Sequence, residues 1–165
     1  MKVLVTGGCG FLGSYVSQYH VAQGDEVTAL DNMDGGDLNN VRPLLARRSF
    51  RIEKASVADR GAVARAMHDV ELVVHCAAQI HVDRSMIEPA DTVNTNVVGT
   101  LNVLEEARRN RVAQVIYISS SEVYGPNQFP PRPMDESHPL DPPHVYGASK
   151  VAAERLCYAY SKQMN

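Results

Sequence analysis

"KVLVTGGCGFLG", residues 2–13, is an apolar, β-branched run that opens onto a cluster of glycines. Lys2 to Thr6 reads as a buried strand. From about Gly10 to Gln23 the sequence reads as a helix, stopped by Gly24. Gly7, Gly10 and Gly13 therefore fall between a strand and a helix. There the missing side chains let the backbone turn tightly and approach a pyrophosphate at the positive end of the helix. The spacing is GxxGxxG rather than the commoner GxGxxG, and no Gly-Lys-Ser/Thr closes it, which argues against a P-loop. A glycine motif alone carries little. Its weight comes from the strand before it, the helix after it, and an acid at the end of the next strand.

That acid is Asp31, which closes the run Glu26 to Leu30 and stands 18 positions after Gly13. A carboxylate there is placed to accept hydrogen bonds from both adenosine ribose hydroxyls, and it would repel a ribose 2′-phosphate. This favours NAD over NADP, although Arg42, Arg47 and Arg48 further on leave NADP open. Asn32, beside it, is counted with the cofactor-binding set. The same aspartate in "DNMDGG" also suits a plain turn.

Further strands are expected over 50–55, 72–75 and 115–119. A short helix is expected over 38–46, one over 59–67 with Asp59 near its cap, a long one over 89–110 and a last one over 145–163. Seven of the nine prolines lie between Pro126 and Pro143, so that stretch reads as an extended loop. Strands alternating with helices predict an α/β fold, a doubly wound parallel sheet of Rossmann type. Such a sheet commonly has a sixth strand, and the chain stops after its fifth unit. The expectation is a fragment: one NAD-binding domain over residues 1–165, truncated before a substrate-binding lobe.

The net charge of -3 and apolar content of 44% fit a soluble domain and argue against nucleic acid or a membrane surface as partner. No apolar stretch approaches a membrane span, and no signal peptide is expected. Three cysteines without a CxxC suit free thiols in a reducing cytoplasm. The six histidines show no zinc spacing, so no metal is expected. His75 and Cys76 read as packed residues, and Cys9 as a small side chain in a tight loop near a helix start, where a thiol pKa can fall.

"YGASK", residues 146–150, puts Tyr146 and Lys150 on one helix face, a turn apart. A free tyrosine, with a pKa of about 10, is a poor base at neutral pH. A nearby ammonium favours the phenolate, which can then take a proton from a sugar hydroxyl while hydride leaves for NAD. "SSSEVYG", residues 119–125, ends the fifth strand in hydroxyls and a carboxylate, at the edge where ligands bind in such sheets. Adjacent serines are also ordinary strand-end hydrogen-bonders.

The set "TGGCGFLG", Asp31, "HCAAQ" (75–79), "NTNVVGTLNV" (94–103), "SSSEVYG" and "YGASK" resembles the extended short-chain dehydrogenase/reductases, in their nucleotide-sugar epimerase/dehydratase branch. The match covers the amino-terminal half of such an enzyme. The resemblance implies that Phe11 and Leu12 line the pyrophosphate and that Ser56, where many relatives carry Asp, approaches the adenine with Val57. It implies that Ala77, Ala78 and Gln79 pass beside the cofactor and that Asn96 steadies the loop after strand four. Lys150 would also hydrogen-bond the nicotinamide ribose. Ser120 takes the position that holds the sugar hydroxyl being oxidised and helps move its proton to Tyr146.

By the same resemblance Glu122 is the carboxylate that deprotonates C5 of the sugar once C4 is a ketone. One kind of dehydratase carries an acid at 121 as well, where this chain has Ser121. The expected activity is NAD-dependent oxidation at C4 of a nucleotide-linked sugar, leading to 4,6-dehydration or 4-epimerisation. A decarboxylase of nucleotide-linked glucuronate and a non-catalytic NAD-binding regulator stay open as alternatives. Intact Ser120, Tyr146 and Lys150 argue against the regulator. Arg84, in "HVDRS", either contacts the substrate or a dimer partner or is a salt-bridged loop arginine. A homodimer through helices 89–110 and 145–163 is also implied. Ala153, Leu156 and Tyr160 would line that interface or pack on the sheet.

Overall fold

The computed structural model of the protein describes residues 1–126 and 133–163. The loop expected over 126–143 thus lies partly outside the described residues. Strands β1 (Lys2–Thr6), β2 (Glu26–Asp31), β3 (Phe50–Lys54), β4 (Leu72–His75) and β5 (Gln114–Tyr117) form one sheet in the order β3-β2-β1-β4-β5. Every pairing is parallel, and Thr6 at the end of β1 stands beside Leu30 on one side and His75 on the other. The chain reverses its direction of travel across the sheet between β1 and β4. Ligands in open α/β sheets bind above such a point, outside the carboxyl ends of the strands.

Alternation along the strands explains why both faces are covered. Val3, Val5, Val27, Ala29 and Val74 bury on one side, with Val41 and Leu44 packed against them. Leu4, Leu30 and Val73 bury on the other, against Val63, Met67, Val103 and Ala107. Side chains of successive residues point to opposite faces, so an apolar run such as Val3-Leu4-Val5 needs a layer on each side. Helix α1 (Phe11–Ala22) covers the first face, and α2 (Arg60–Ala66) and α5 (Gly99–Arg109) the second. Asp59 caps α2, its side chain accepting the Ala62 N–H at 3.1 Å.

The short helix expected over 38–46 is a 3-10 helix, Leu38–Leu44, with Pro43 inside it removing a donor. The structure departs from the sequence reading in three places. The stretch 89–110 is not one α-helix. It divides into α4 (Pro89–Val93), a π-helical turn (Asn94–Val98) and α5. An additional short helix, α3 (Val82–Ile87), precedes them. β5 ends at Tyr117, two residues before its expected end, although the Ile118 N–H still reaches His75 O at 3.1 Å.

The last helix, α6 (Val145–Gln163), begins at the expected residue. Ala153 is fully buried within the chain, whereas Tyr160 is half-buried and its hydroxyl donates to Glu105 on α5. No helix among the described residues is long and apolar enough to cross a membrane. No group of three His, Cys, Asp or Glu side chains that could hold a metal converges among them.

Candidate functional site

A cleft of about 730 Å³ runs across the carboxyl ends of β2, β1, β4 and β5. One wall is the glycine loop and the start of α1, with Gly7, Gly10, Phe11, Leu12 and Gly13. Gly13 has no room for a side chain, because a Cβ there would stand 2.1 Å from the carbonyl oxygen of Gly7. The first turn of α1 therefore lies directly on the loop. Its free N–H groups face the cleft, an arrangement suited to an anion. Phe11 stands at the mouth, 81% exposed.

Asp31 and Asn32 line the next stretch, followed by Met33 to Gly36. The Asp31 carboxylate is buried and accepts the Cys9 N–H (2.9 Å) on one oxygen and the Met33 N–H (2.8 Å) on the other. Each oxygen keeps a further lone pair for a ligand hydroxyl. Burial, and Asp31 beside it, push the Cys9 thiol up to about 11. The helix start does not activate it. Ser56 and Val57 line the cleft beyond β3, and the Ser56 hydroxyl also accepts the Ala58 N–H at 3.1 Å.

Cys76 to Gln79, leaving β4, form the floor. A chain of hydrogen bonds sets their path. The Ala77 N–H donates to Thr6 Oγ1 (3.1 Å), and that hydroxyl meets His75 Nδ1 at 2.5 Å. His75 Nε2 lies 3.0 Å from Thr100 Oγ1, whose O–H donates to the Asn96 carbonyl at 2.6 Å. The Thr100 hydroxyl is spent on Asn96, so His75 Nε2 carries a proton, and burial pushes the ring pKa down to about 3, leaving Nδ1 to accept from Thr6. Asn96 in turn clasps the Gln79 backbone, accepting its N–H at 2.7 Å and donating to its carbonyl at 3.0 Å. It also donates to Ser149 Oγ on α6 at 2.9 Å. Asn96 sits inside the π-helical turn Asn94–Val98, a widening of the helix often found at functional sites.

The far wall carries Ile118, Ser119, Tyr146 and Lys150. Tyr146 is held by its backbone, whose N–H donates to Ser85 Oγ on α3 at 3.1 Å. Lys150 Nζ donates to the Ile118 carbonyl at 2.6 Å and stands 4.5 Å from the centre of the Tyr117 ring. Burial lowers its pKa to about 8. Fourteen of the seventeen site residues expected from the sequence line this one cleft. Asn96, Ser120 and Glu122 do not. Ser120 Oγ accepts the Glu122 N–H at 3.2 Å, capping a short 3-10 turn over Ser121–Val123.

The arrangement has the parts of a dinucleotide site: a loop for the pyrophosphate, an acid at the end of β2, and a Tyr/Lys pair at the opposite end. A sequence model of the NAD dependent epimerase/dehydratase family matches residues 3–165. The chain belongs to that family. Within it the chain is 35% identical to a dTDP-glucose 4,6-dehydratase of Streptomyces niveus over 169 residues, which takes in 98% of this chain and 50% of the relative. It is 36% identical to a putative UDP-glucose 4-epimerase of Methanocaldococcus jannaschii over 163 residues, 97% of this chain and 51% of that protein. The crystal structure of a family dehydratase, the dTDP-glucose 4,6-dehydratase of Streptomyces venezuelae with NAD bound, superimposes with a TM-score of 0.91 at 36% identity. That likeness covers 98% of this chain and 52% of the other. The chain thus spans about half the length of the family members it matches.

The sequence did not point to Met33–Gly36, His81 or Ser119 as cleft residues. It left Arg84 between two readings, and the structure pairs its guanidinium with Asp34 (2.5 Å), Glu88 (3.0 Å) and Asp91 (3.1 Å). Arg84 is an ion-paired arginine that ties the Met33–Gly36 loop to α3 and α4. Thr6 and Thr100 lie within "TGGCGFLG" and "NTNVVGTLNV", but those motifs gave them no role. No motif marked His144, whose Nε2 lies 2.9 Å from Glu122 Oε2.

Proposed function

We propose that the whole protein is an NAD-dependent nucleotide-sugar enzyme that oxidises C4 of a nucleotide-linked hexose, leading to 4,6-dehydration or 4-epimerisation. The observation that carries this reading is the convergence of Tyr146 and Lys150 on the same cleft as the glycine loop and Asp31. The cradle fits the cofactor in its chemistry, since a glycine without room for a Cβ brings helix N–H groups to an anion and a buried carboxylate waits for hydroxyl donors. Bound NAD supplies the acceptor for the C4 hydride.

The rest is done by the chain. N–H groups at the start of α1 hold the pyrophosphate, with Phe11 and Leu12 over it. Asp31 and Asn32 take the adenosine ribose, and Asp31 rejects a 2′-phosphate. Ser56 and Val57 border the adenine, and Ala77, Ala78 and Gln79 border the rest of the cofactor. Tyr146 removes the proton of the C4 hydroxyl. Lys150, cationic below about pH 8, favours the phenolate that does so. Ser120 holds that hydroxyl, and Glu122 accepts the C5 proton. Two copies pair through the 89–110 stretch and α6, supported by the exposed Val93, Val98, Leu101 and Tyr158. The free cysteines Cys9, Cys76 and Cys157 support a cytoplasmic setting.

Replacing Tyr146 with Phe tests the reading. NAD affinity by calorimetry is expected to hold, while turnover of dTDP- or UDP-glucose falls about 10²–10⁴-fold. Unchanged turnover in that variant sinks the assignment.

A further inference from the structure

His144 stands immediately before α6, and its carbonyl accepts the Ala148 N–H at 3.1 Å. Its ring does two further things. Nδ1 accepts the Gly147 N–H at 3.0 Å, so in the neutral ring the proton sits on Nε2. Nε2 then donates to Glu122 Oε2 at 2.9 Å. The ring also lies nearly parallel to that of Tyr146, 18° between planes with centroids 6.1 Å apart. Glu122 is fixed to the same helix start through its backbone, since a Cβ on Gly147 would stand 2.6 Å from the Glu122 carbonyl oxygen. Among the described residues Glu122 Oε1 has no hydrogen-bond partner, and the side chain is 49% exposed.

We propose that His144 is the positioning residue of Glu122: it holds one carboxylate oxygen and leaves the other set to take a proton from the sugar. This rests on the role given to Glu122 above. In that step the C5–H bond breaks, its electron pair moves toward the C4 carbonyl, and the proton ends on Glu122 Oε1. His144 keeps its own proton throughout. An exposed glutamate samples several rotamers, and one fixed donor on a helix cap removes most of that freedom. The residue types suit the task, because a neutral imidazole accepts at one nitrogen and donates at the other.

The test uses the whole protein with NAD and dTDP-glucose in deuterated water, reading kcat, KM and C5 hydrogen exchange by mass spectrometry. Asparagine at 144 can still cap α6 but is too short to reach Glu122, so H144N separates the cap from the contact. Exchange and kcat are expected to fall about ten- to a hundredfold in H144N. KM is expected to stay within about twofold. The double variant H144N/E122Q should be no slower than E122Q alone. H144Q, long enough to donate to Glu122, should recover part of the rate. If H144N matches wild type while E122Q is impaired, or if the two losses simply add, the inference falls and the role of Glu122 stands. If E122Q is itself as fast as wild type, or the wild type exchanges nothing at C5, both fall.

Discussion

The ammonium of Lys150 lies 2.6 Å from the carbonyl oxygen of Ile118, one turn along α6 from Tyr146 and at the end of the strand that leads to Ser119. This contact anchors a cation in a buried place, where burial lowers its pKa from 10.5 to about 8. Below that pH the amine is charged, the state that the proposed proton removal by Tyr146 requires. The expected outcome is a kcat/KM that declines above about pH 8, and a flat profile through pH 9 would contradict it. The stability effect has the opposite direction. An unfolded Lys150 holds its proton up to about 10.5 and the folded one only to about 8, so the unfolded chain binds more protons between those values. Relative to Lys150→Met, wild-type stability should therefore rise across that window in denaturant titrations.

Gly13→Ala places a methyl group 2.1 Å from the Gly7 carbonyl oxygen. Both partners are backbone, so neither can swing aside. The variant should lose about 3 kcal/mol or more of unfolding free energy, or move the loop and lose NAD affinity at least tenfold. Unfolding curves and calorimetry together detect either result. A variant normal in both would show that the loop is not packed on α1.

Asp31→Ala removes a buried carboxylate that accepts two backbone N–H groups. Those donors lose their partner, so stability should drop by about 1–3 kcal/mol. The ratio of NAD to NADP affinity should also fall, because the repulsion of a 2′-phosphate is gone. Competition binding reads the ratio directly.

Arg84→Ala breaks three ion pairs at once. They are partly exposed, so the expected loss of global stability is small. The local effect should be larger, since Asp34 is no longer tied to α3 and α4. Hydrogen exchange of the Met33–Gly36 amides should speed up while β1 and β4 stay protected.

Much of this was legible because the pattern is local. Val3-Leu4-Val5 and Val73-Val74 declare strands buried on both faces, and the glycine spacing with Asp31 places the loop at the right end of them. The Tyr146–Lys150 pair needs only helical spacing. What escaped depends on distant partners. The π-helical turn holds Asn96, whose partners Gln79 and Ser149 are 17 and 53 positions away. Helix α3 is short, and His81 before it makes no side-chain cap, so nothing in "HVDRS" announces it. His144 and Glu122 stand 22 positions apart and meet only because the start of α6 packs on the turn after β5. No spacing rule connects them.

The most direct test of the central claim is mass spectrometry of the products formed by the whole protein with NAD and a panel of dTDP- and UDP-linked hexoses. The account predicts loss of one water from a hexose, or an unchanged mass with a new C4 stereoisomer on chromatography. NAD bound with no sugar converted at C4 would contradict it.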